Sequence, residues 1–198
     1  MHTSKNLLII FYKNPELGKV KTRLAASLGK EKALAIYLKL ANHTRLISEN
    51  ILADRVVYYS NVIEQEDAWT SSIFKKEVQK GEDLGERMLH AFKESFQKGY
   101  EQVCIIGTDC LELNTDIIEQ AFKNLSRHET VLGLAKDGGY YLIGMKRLYP
   151  HFFRDKHWST STVGHDTLRD ILHLNLSYKL LPLLSDVDIE DDLKGKLV

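Results

Sequence analysis

Short apolar runs alternate with stretches of helical periodicity along most of this chain. The runs that predict strands are 7–12, 55–60, 102–106, 130–134, 140–145 and 178–184. Apolar side chains that recur every three or four residues predict helices over 31–50, 84–96, 115–125 and 162–174, with a short polar helix over 189–197. This alternation is typical of proteins whose helices cover both faces of a mostly parallel sheet. We therefore expect an α/β fold, a three-layer sandwich around a mostly parallel sheet.

Two segments between these elements are less well defined. Residues 61–80 are polar and weakly patterned, so we predict no regular element there. Residues 135–139 link two predicted strands and contain two glycines, which is typical of either a hairpin or a functional loop. We find no internal repeat, low-complexity tract or linker in the sequence. A length of 198 residues suits one globular core, so we expect residues 1–198 to form a single domain.

The charge balance argues against some classes of partner. Lysine plus arginine and aspartate plus glutamate each total 27, so the formal net charge is zero and no overall field favours nucleic acid or an anionic membrane. The first apolar run is too short for the core of a signal peptide, and no stretch approaches the length of a membrane span. Cys104 and Cys110 fit neither a CxxC redox pair nor a zinc knuckle. We expect a cytoplasmic protein that binds small molecules.

Aspartates follow two of the predicted strands. Asp109 comes directly after the strand at 102–106, and Asp186 and Asp188 follow the last apolar run. Ligands of open α/β sheets bind at the carboxyl ends of strands. Two carboxylates a few ångströms apart repel by about 4 kcal/mol at an effective dielectric near 20, so a cation is expected between them. Mg²⁺ or Mn²⁺ suits such oxygen ligands. For each residue taken alone, a structural role is equally consistent with the sequence: Asp109 as a helix cap, and Asp186 as a residue that closes a turn.

A basic segment follows the first predicted strand. Residues 18–24 read GKVKTRL, so a glycine and three cations, among them Lys21 and Arg23, lie close together after a loop that contains proline. Phosphates bind where permissive backbone and Lys or Arg charge converge, so Gly18, Lys21 and Arg23 are candidate phosphate ligands. The segment matches neither the P-loop nor the dinucleotide-binding motif. The alternative is a solvated basic loop.

Three further segments carry glycine, acidic or aromatic residues. GEDLGERM at 81–88 opens a predicted helix, where Gly81 and Arg87 suit an anionic ligand; the acids there, Asp83 included, are equally explained as partners of the helix dipole. The other two segments contain candidate substrate-binding residues, with an edge hairpin and a capped helix as the alternatives. These candidates are Gly138, Gly139, Tyr140, Trp158 and Ser159.

Taken in order, six motifs resemble the DUF2064 family, a glycosyltransferase-like group within the nucleotide-diphospho-sugar transferase superfamily. The motifs are KNPELGKVKTRL (13–24), GEDLGERM (81–88), IGTDC (106–110), DGGYYLIG (137–144), WSTS (158–161) and DVD (186–188). The resemblance covers nearly the whole chain and implies the GT-A fold. Leu111 departs from the pattern, because the family usually has proline at that position.

The resemblance also implies a site. It places a divalent metal, Mg²⁺ or Mn²⁺, on Asp109, with Asp186 or Asp188 as the second ligand. A nucleotide or nucleotide-sugar would bind over the carboxyl ends of the first strands, with Lys21 and Arg23 on its phosphates. The full set of implied nucleotide and phosphate contacts is Lys13, Gly18, Lys21, Arg23, Gly81, Asp83, Arg87 and Thr108.

The implied function is a metal-dependent transferase with an activated nucleotide donor. Asp109 and Lys21 would act at the donor, and Asp137 is the candidate base for glycosyl transfer. Nucleotidyl transfer to a phosphorylated acceptor would need further cations such as Lys136 or Arg87. A nucleotide-binding module without turnover is the third interpretation. The aromatic residues Tyr149, Phe152 and Phe153 could form an interface between two copies of the chain, as in a homodimer, or cover the sheet.

Overall fold

A seven-stranded mixed sheet forms the centre of the computed structural model, which describes residues 5–194. Its strands are β1 (Asn6–Tyr12), β2 (Asp54–Tyr59), β3 (Lys75–Val78), β4 (Gln102–Ile106), β5 (Thr130–Leu134), β6 (Tyr140–Met145) and β7 (Tyr178–Leu180). Their order across the sheet is β3-β2-β1-β4-β6-β5-β7. Among these strands only β6 is antiparallel to its neighbours. The prediction of a mostly parallel sheet is confirmed.

Helices cover both faces of this sheet. They are α1 (Thr22–Leu28), α2 (Lys30–Ser48), α3 (Leu84–Gln97), α4 (Thr115–Leu125) and α5 (Val163–His173). Alternate residues of β1 point to opposite faces: Leu8 packs in the cluster that contains residues of α2 and α4, and Ile9 packs in the cluster that contains residues of α3 and α5. Both side chains are completely buried. The three-layer α/β sandwich is therefore confirmed.

The boundaries of most elements agree with the sequence pattern to within two residues, but three elements were missed: β3, α1 and a 3₁₀ turn at Pro150–Phe153. β3 has the sequence KKEV and lies at the edge of the sheet, so its charged side chains give no apolar alternation. Helix α1 is only seven residues long. Lys21, the residue before it, has a left-handed conformation (φ 46°), and Gly29 (φ 88°) separates α1 from α2. Neither β3 nor α1 has a strong signature in apolar spacing.

Three other predictions needed correction or completion. The last strand ends at Leu180 rather than at 184, because its pairing with β5 becomes irregular around Pro182. The Leu181 amide donates to Leu132 O at 3.0 Å, but the next bond, from the Leu184 amide to Leu134 O at 3.3 Å, comes three residues later instead of two, and Leu184 forms an isolated bridge with Ala135. The predicted helix over 189–197 is a 3₁₀ turn at Glu190–Leu193, and its last residues lie outside the described part of the chain. Residues 135–139 form the hairpin connection between β5 and β6.

The aromatic residues at 149–153 belong to the interior. Tyr149, Phe152 and Phe153 are all buried in the cluster beneath α3 and α5, so they cover the sheet and are not free to form an interface. No helix within residues 5–194 combines the length and the hydropathy that a membrane crossing needs.

Candidate functional site

Lys21 lies between two of the predicted acids, above the carboxyl ends of β1 and β4. Its Nζ is 2.7 Å from Asp109 Oδ1 and 3.1 Å from Asp188 Oδ1. The Lys21 side chain is only 5% exposed, whereas both carboxylates are partly open to solvent. An ammonium group of the chain itself therefore lies between Asp109 and Asp188, and the metal expected on these acids stays a prediction.

Backbone geometry on both sides of this triad holds it in place. Lys21 precedes α1 with left-handed torsion angles, and Leu24 one turn later is buried with Val187 in a small apolar cluster. The amide of Val187 donates to the carbonyl of Asp109 at 2.9 Å. This hydrogen bond and the Leu24 contact bring three distant parts of the sequence together: the basic segment, the end of β4 and the DVD motif.

Asp186 is the carboxyl group of the site whose pKa is shifted. Its Oδ1 is buried and has no hydrogen-bond partner among residues 5–194. Burial, followed by the charges of Asp109 and Asp137, raises the pKa of Asp186 to about 7. Asp188 adds a smaller rise, and Lys21 opposes the shift. Four carboxyl groups from three segments therefore influence one another at this edge of the sheet.

Asp137 belongs to the turn that joins β5 to β6. Its Oδ1 accepts a hydrogen bond from the Gly139 amide at 2.9 Å, and the neighbouring Lys136 amide donates to Leu184 O at 2.9 Å. The second bond holds the turn beside the segment that carries Asp186. Gly138 has a φ of 91° and packs so closely on Ser161 that a Cβ atom would lie 1.9 Å from the Ser161 carbonyl oxygen. Glycine is therefore required at position 138.

The donor set suits a hard divalent cation. Asp186 offers a buried oxygen that lacks a partner among the described residues, and the close acids Asp109 and Asp188 supply further carboxylate oxygens. Within residues 5–194 no three His, Cys, Asp or Glu side chains are grouped closely enough to form a complete metal site. Mg²⁺ is usually bound by one or two carboxylates together with substrate phosphates, so an incomplete protein site fits this mode of binding.

The remaining residues of the basic segment are more open. Arg23 Nη1 lies 3.8 Å from Asp188 Oδ2, and the Arg23 side chain is largely exposed. The Lys13 side chain is exposed, and Gly18 forms a turn with a φ of 75°. Thr108, by contrast, is buried and interacts with the hydroxyl of Tyr37. Arg23 and Lys13 are thus free to meet a ligand at this surface, whereas Thr108 is turned towards the interior.

The segment at 81–88 is engaged in its own local structure. Asp83 caps α3, since its Oδ1 accepts from the Glu86 amide at 2.8 Å. Arg87 Nε donates to Gly81 O at 3.0 Å, and its Nη1 lies 3.5 Å from Gln79 Oε1. The helix-partner interpretation accounts for Asp83, and the guanidinium of Arg87 is already bound by the chain.

Trp158 and Tyr140 have different surroundings. The Trp158 indole lies against Gly85 of α3 and borders a surface cavity of about 410 Å³. Ser159 is exposed beside it in a left-handed conformation, φ 63°. Tyr140 is directed inward, with its hydroxyl 3.7 Å from Met88 Sδ, and it packs against the core. Trp158 is therefore the predicted aromatic residue that faces an open space.

Comparison with known proteins places these features in a family. The DUF2064 model, described as "Uncharacterized protein conserved in bacteria", matches residues 44–160. The chain belongs to the DUF2064 family. No curated protein matches the sequence significantly.

Solved structures with the same fold support the superfamily assignment of this DUF2064 protein. A protein of Desulfovibrio desulfuricans G20, provisionally assigned as a nucleotide-diphospho-sugar transferase, has a TM-score of 0.87 and 30% identity over 94% of this chain and 84% of its own. CMP:2-keto-3-deoxy-manno-octonic acid synthetase complexed with CTP has a TM-score of 0.56 and 9% identity over 96% of both chains. A cytidylyltransferase of Leptospira borgpetersenii has a TM-score of 0.52 and 14% identity over 91% of this chain and 76% of its own. The last two share the fold alone.

Sequence reasoning missed two residues that shape the loop after β1 in this DUF2064 protein. The Tyr37 hydroxyl donates to Lys13 O at 2.6 Å and accepts from the Lys13 amide at 3.0 Å. Asn14 is buried, and its Nδ2 donates to Val62 O at 2.9 Å. Tyr37 fits the apolar spacing of the predicted helix over 31–50, so its polar end gave no separate signal. Asn14 stands before a proline, which indicated only a loop.

Proposed function

We propose that this protein is a metal-dependent transferase that uses an activated nucleotide donor and transfers its glycosyl group. The observation that carries the proposal is the meeting of Lys21 with Asp109 and Asp188, beside the buried carboxyl of Asp186. Clustered acids of this kind are costly to the fold unless they have a partner, and they lie at the strand ends where open α/β sheets bind ligands.

The basic residues of the site suit a donor diphosphate. Lys21 provides a positive charge in a position with little access to water, and Arg23 presents an exposed guanidinium beside it. We propose that both side chains offset the charge of the diphosphate as it binds and the charge of the leaving nucleotide as its bond breaks. Positive groups fixed in advance at a site of developing negative charge commonly contribute several kcal/mol to catalysis.

Asp109 and Asp186 would hold the divalent metal, and Asp188 would position Lys21. When bound, Mg²⁺ or Mn²⁺ would supply further positive charge to the diphosphate. Asp137 is the proposed base for the acceptor hydroxyl, because its charge acts on Asp186 and its turn lies beside the DVD segment. Its carboxylate is exposed and keeps one oxygen outside the hydrogen bond to Gly139, so it can accept a proton.

Glycosyl transfer is favoured over nucleotidyl transfer by the state of the candidate cations. An acceptor phosphate would need further positive groups, for which the sequence offered Lys136 and Arg87. Arg87 is already bound to Gly81 O and Gln79, which leaves the exposed Lys136 as the one remaining cation of the two. The third interpretation, a nucleotide-binding module without turnover, makes a different prediction for Asp109→Asn. Such a module would bind nucleotide with little loss after this substitution.

Isothermal titration calorimetry tests the donor site. Wild-type protein is titrated with UDP-, GDP- and CDP-linked sugars and with nucleoside triphosphates, each with Mn²⁺ or with EDTA. We expect one class of nucleotide sugar to bind in Mn²⁺ and to be consumed on incubation with acceptors. Lys21→Met should weaken this binding about 10- to 100-fold, because a charge-assisted hydrogen bond in such a site contributes about 1.5–3 kcal/mol.

The matched control is Glu119→Gln, which removes an exposed carboxylate beside Asn6 and Gln102, at the opposite end of β1 and β4. It should bind as wild type, whereas Asp109→Asn should lose the dependence on Mn²⁺. Equal nucleotide binding with EDTA and with Mn²⁺, or an Asp109→Asn variant that binds as wild type, would contradict the proposal.

A further inference from the structure

A second concave surface shares no lining residue with the proposed donor site. Its cavity of about 410 Å³ lies within the size range of small-molecule pockets. The lining residues are Asp83, Phe153, Asp155, Lys156, His157 and Trp158. They come from the start of α3 and from the segment that precedes α5. The donor site as proposed does not use this cavity.

The aromatic wall of the cavity is fixed in place. A Cβ atom on Gly85 would lie 2.5 Å from both Cζ2 and Nε1 of Trp158, so the absence of a side chain at 85 lets the indole lie directly on α3. The same Cβ would lie 2.5 Å from the Phe153 carbonyl oxygen, which shows how closely the whole segment approaches the helix. The indole therefore presents a half-buried, immobilised face, which costs little entropy when a ligand stacks on it.

The rim of the cavity is negatively charged. Asp83 and Asp155 are exposed carboxylates on its lining. The lining cation, Lys156, is almost fully buried and its Nζ lies 2.6 Å from Asp170 Oδ2, so its charge is balanced outside the cavity. Carboxylate oxygens accept hydrogen bonds from hydroxyl groups and repel phosphate. The chemistry of this cavity suits a hydroxyl-bearing ligand and disfavours a phosphorylated one.

The segment that lines the cavity packs through its backbone on the turn that carries Asp137. Gly138, next to Asp137, packs on the backbone of Ser161, three residues after Trp158. The Gly164 amide at the start of α5 donates to Gly138 O at 2.9 Å. The Lys136 amide of the same turn donates to Leu184 O at 2.9 Å, in the segment that leads to Asp186. Backbone contacts of one turn therefore connect the segment that lines the cavity with the segment that carries the acids.

We propose that this cavity is the acceptor subsite and that it takes an unphosphorylated, hydroxyl-bearing acceptor such as a neutral saccharide, with one sugar face on Trp158. The inference rests on the proposed function, and it adds the class of the acceptor. A neutral acceptor agrees with glycosyl transfer and not with nucleotidyl transfer to a phosphate.

The two tryptophans of the chain allow a direct test in the full-length protein. Trp69 is buried in the core, and Trp158 borders the cavity. In protein labelled with ¹⁵N-tryptophan each indole N–H gives one resonance, and Trp158→Phe assigns them. The probes are a panel of neutral methyl glycosides and disaccharides, and the phosphates of the same sugars. We expect neutral sugars to shift the Trp158 resonance saturably and to leave that of Trp69 unchanged.

Sugar phosphates should bind about three- to tenfold more weakly than their neutral counterparts at low salt, because two exposed carboxylates repel them. Asp155→Asn should reduce the difference in affinity between the sugar phosphates and the neutral sugars. The substitution should not disturb the backbone, because asparagine tolerates the left-handed conformation at position 155, φ 54°. If no neutral sugar moves the Trp158 resonance, or if the phosphates bind as tightly as the neutral sugars, the acceptor proposal is wrong.

Calorimetry of nucleotide binding on the same samples separates the two proposals. Trp158→Phe should bind the donor nucleotide as wild type does. Normal donor binding together with an unresponsive Trp158 would refute the acceptor subsite alone. A Trp158 response without any nucleotide binding would refute the donor proposal and leave a saccharide site of another function.

Discussion

Replacing Lys76 by methionine should strongly destabilise the fold, because it would leave a carboxylate buried without its partner. Lys76 Nζ is 2.7 Å from Asp67 Oδ1, and the two side chains are only 6% and 11% exposed. The same Nζ donates to Glu64 O at 2.6 Å. This ion pair attaches β3 to the irregular segment that follows β2.

The expected magnitude follows from the distance and the burial. At 2.7 Å and an effective dielectric near 20, the Coulomb attraction is about 6 kcal/mol before desolvation is subtracted. Removing one partner of a buried pair costs about 3–5 kcal/mol. Asp67 keeps hydrogen bonds from the Tyr59 hydroxyl at 2.6 Å and the Trp69 amide at 3.0 Å, so we expect the lower end, about 3 kcal/mol, for Lys76→Met.

Urea unfolding at neutral pH measures this loss. The matched control is Lys80→Met, because Lys80 contacts Glu94 at the same 2.7 Å but is 61% exposed, and it should unfold at nearly the wild-type midpoint. The double variant Lys76→Met/Asp67→Asn should recover part of the loss, since no unpaired charge remains. If Lys76→Met and Lys80→Met unfold at the same urea concentration, the reasoning is refuted, because burial would then have no effect on the free energy lost with the ion pair.

Two further predictions concern the candidate site. Gly138→Ala should lower the free energy of unfolding by about 2–4 kcal/mol, because the new Cβ would lie 1.9 Å from the Ser161 carbonyl oxygen. The control is Gly99→Ala, which has a similar φ of 89° but no atom within 4 Å of the new Cβ, so it should lower the free energy of unfolding by less. Equal losses for the two variants in urea unfolding would contradict the packing argument. Burial raises the pKa of Asp186 to about 7 from an ordinary value of 3.8, so the folded state binds this proton more tightly than the unfolded state. Its contribution to stability is therefore present below pH 4 and is lost as the pH rises towards 7, by roughly 2–4 kcal/mol. In EDTA, Asp186→Asn should be more stable than wild type at pH 8 and should show a smaller fall between pH 5 and 8, whereas parallel pH profiles of the two proteins would exclude a raised pKa.

Local patterns in the sequence were sufficient for most of the fold. The strands Gln102–Ile106, Thr130–Leu134 and Tyr140–Met145 and the helix Thr115–Leu125 have the predicted boundaries. In each of them the apolar spacing and the actual burial agree, because both faces of the central strands and one face of the helix contact the core. The charged β3 lacks this agreement, since an edge strand is specified by its neighbour more than by its own side chains.

The sequence named Asp109, Asp188 and Lys21 as candidates one by one, but it did not predict that they pair. Lys21 was predicted to contact phosphate, and a metal was expected between the carboxylates. The contact of Lys21 with Asp188 depends on the packing of Leu24 against Val187, which no local pattern encodes. For Asp83, in contrast, the local sequence was sufficient. Its position at the start of a predicted helix suggested a role at the helix end, and in the structure Asp83 caps α3.

The hydrogen bond from the Val187 amide to Asp109 O has a consequence for local opening. Residues 185–188 are held by single contacts and not by a strand ladder: besides the Val187 bond at 2.9 Å, the Ser185 amide donates to Glu112 Oε2 at 2.8 Å, and Asp188 contacts Lys21 at 3.1 Å. A segment outside the ladders of a sheet can detach while the central strands stay intact, and its amides then exchange with deuterium earlier. The Val187 amide should therefore exchange faster than amides of β4, and a ligand that bridges Asp109 and Asp186 should slow that exchange in proportion to its occupancy.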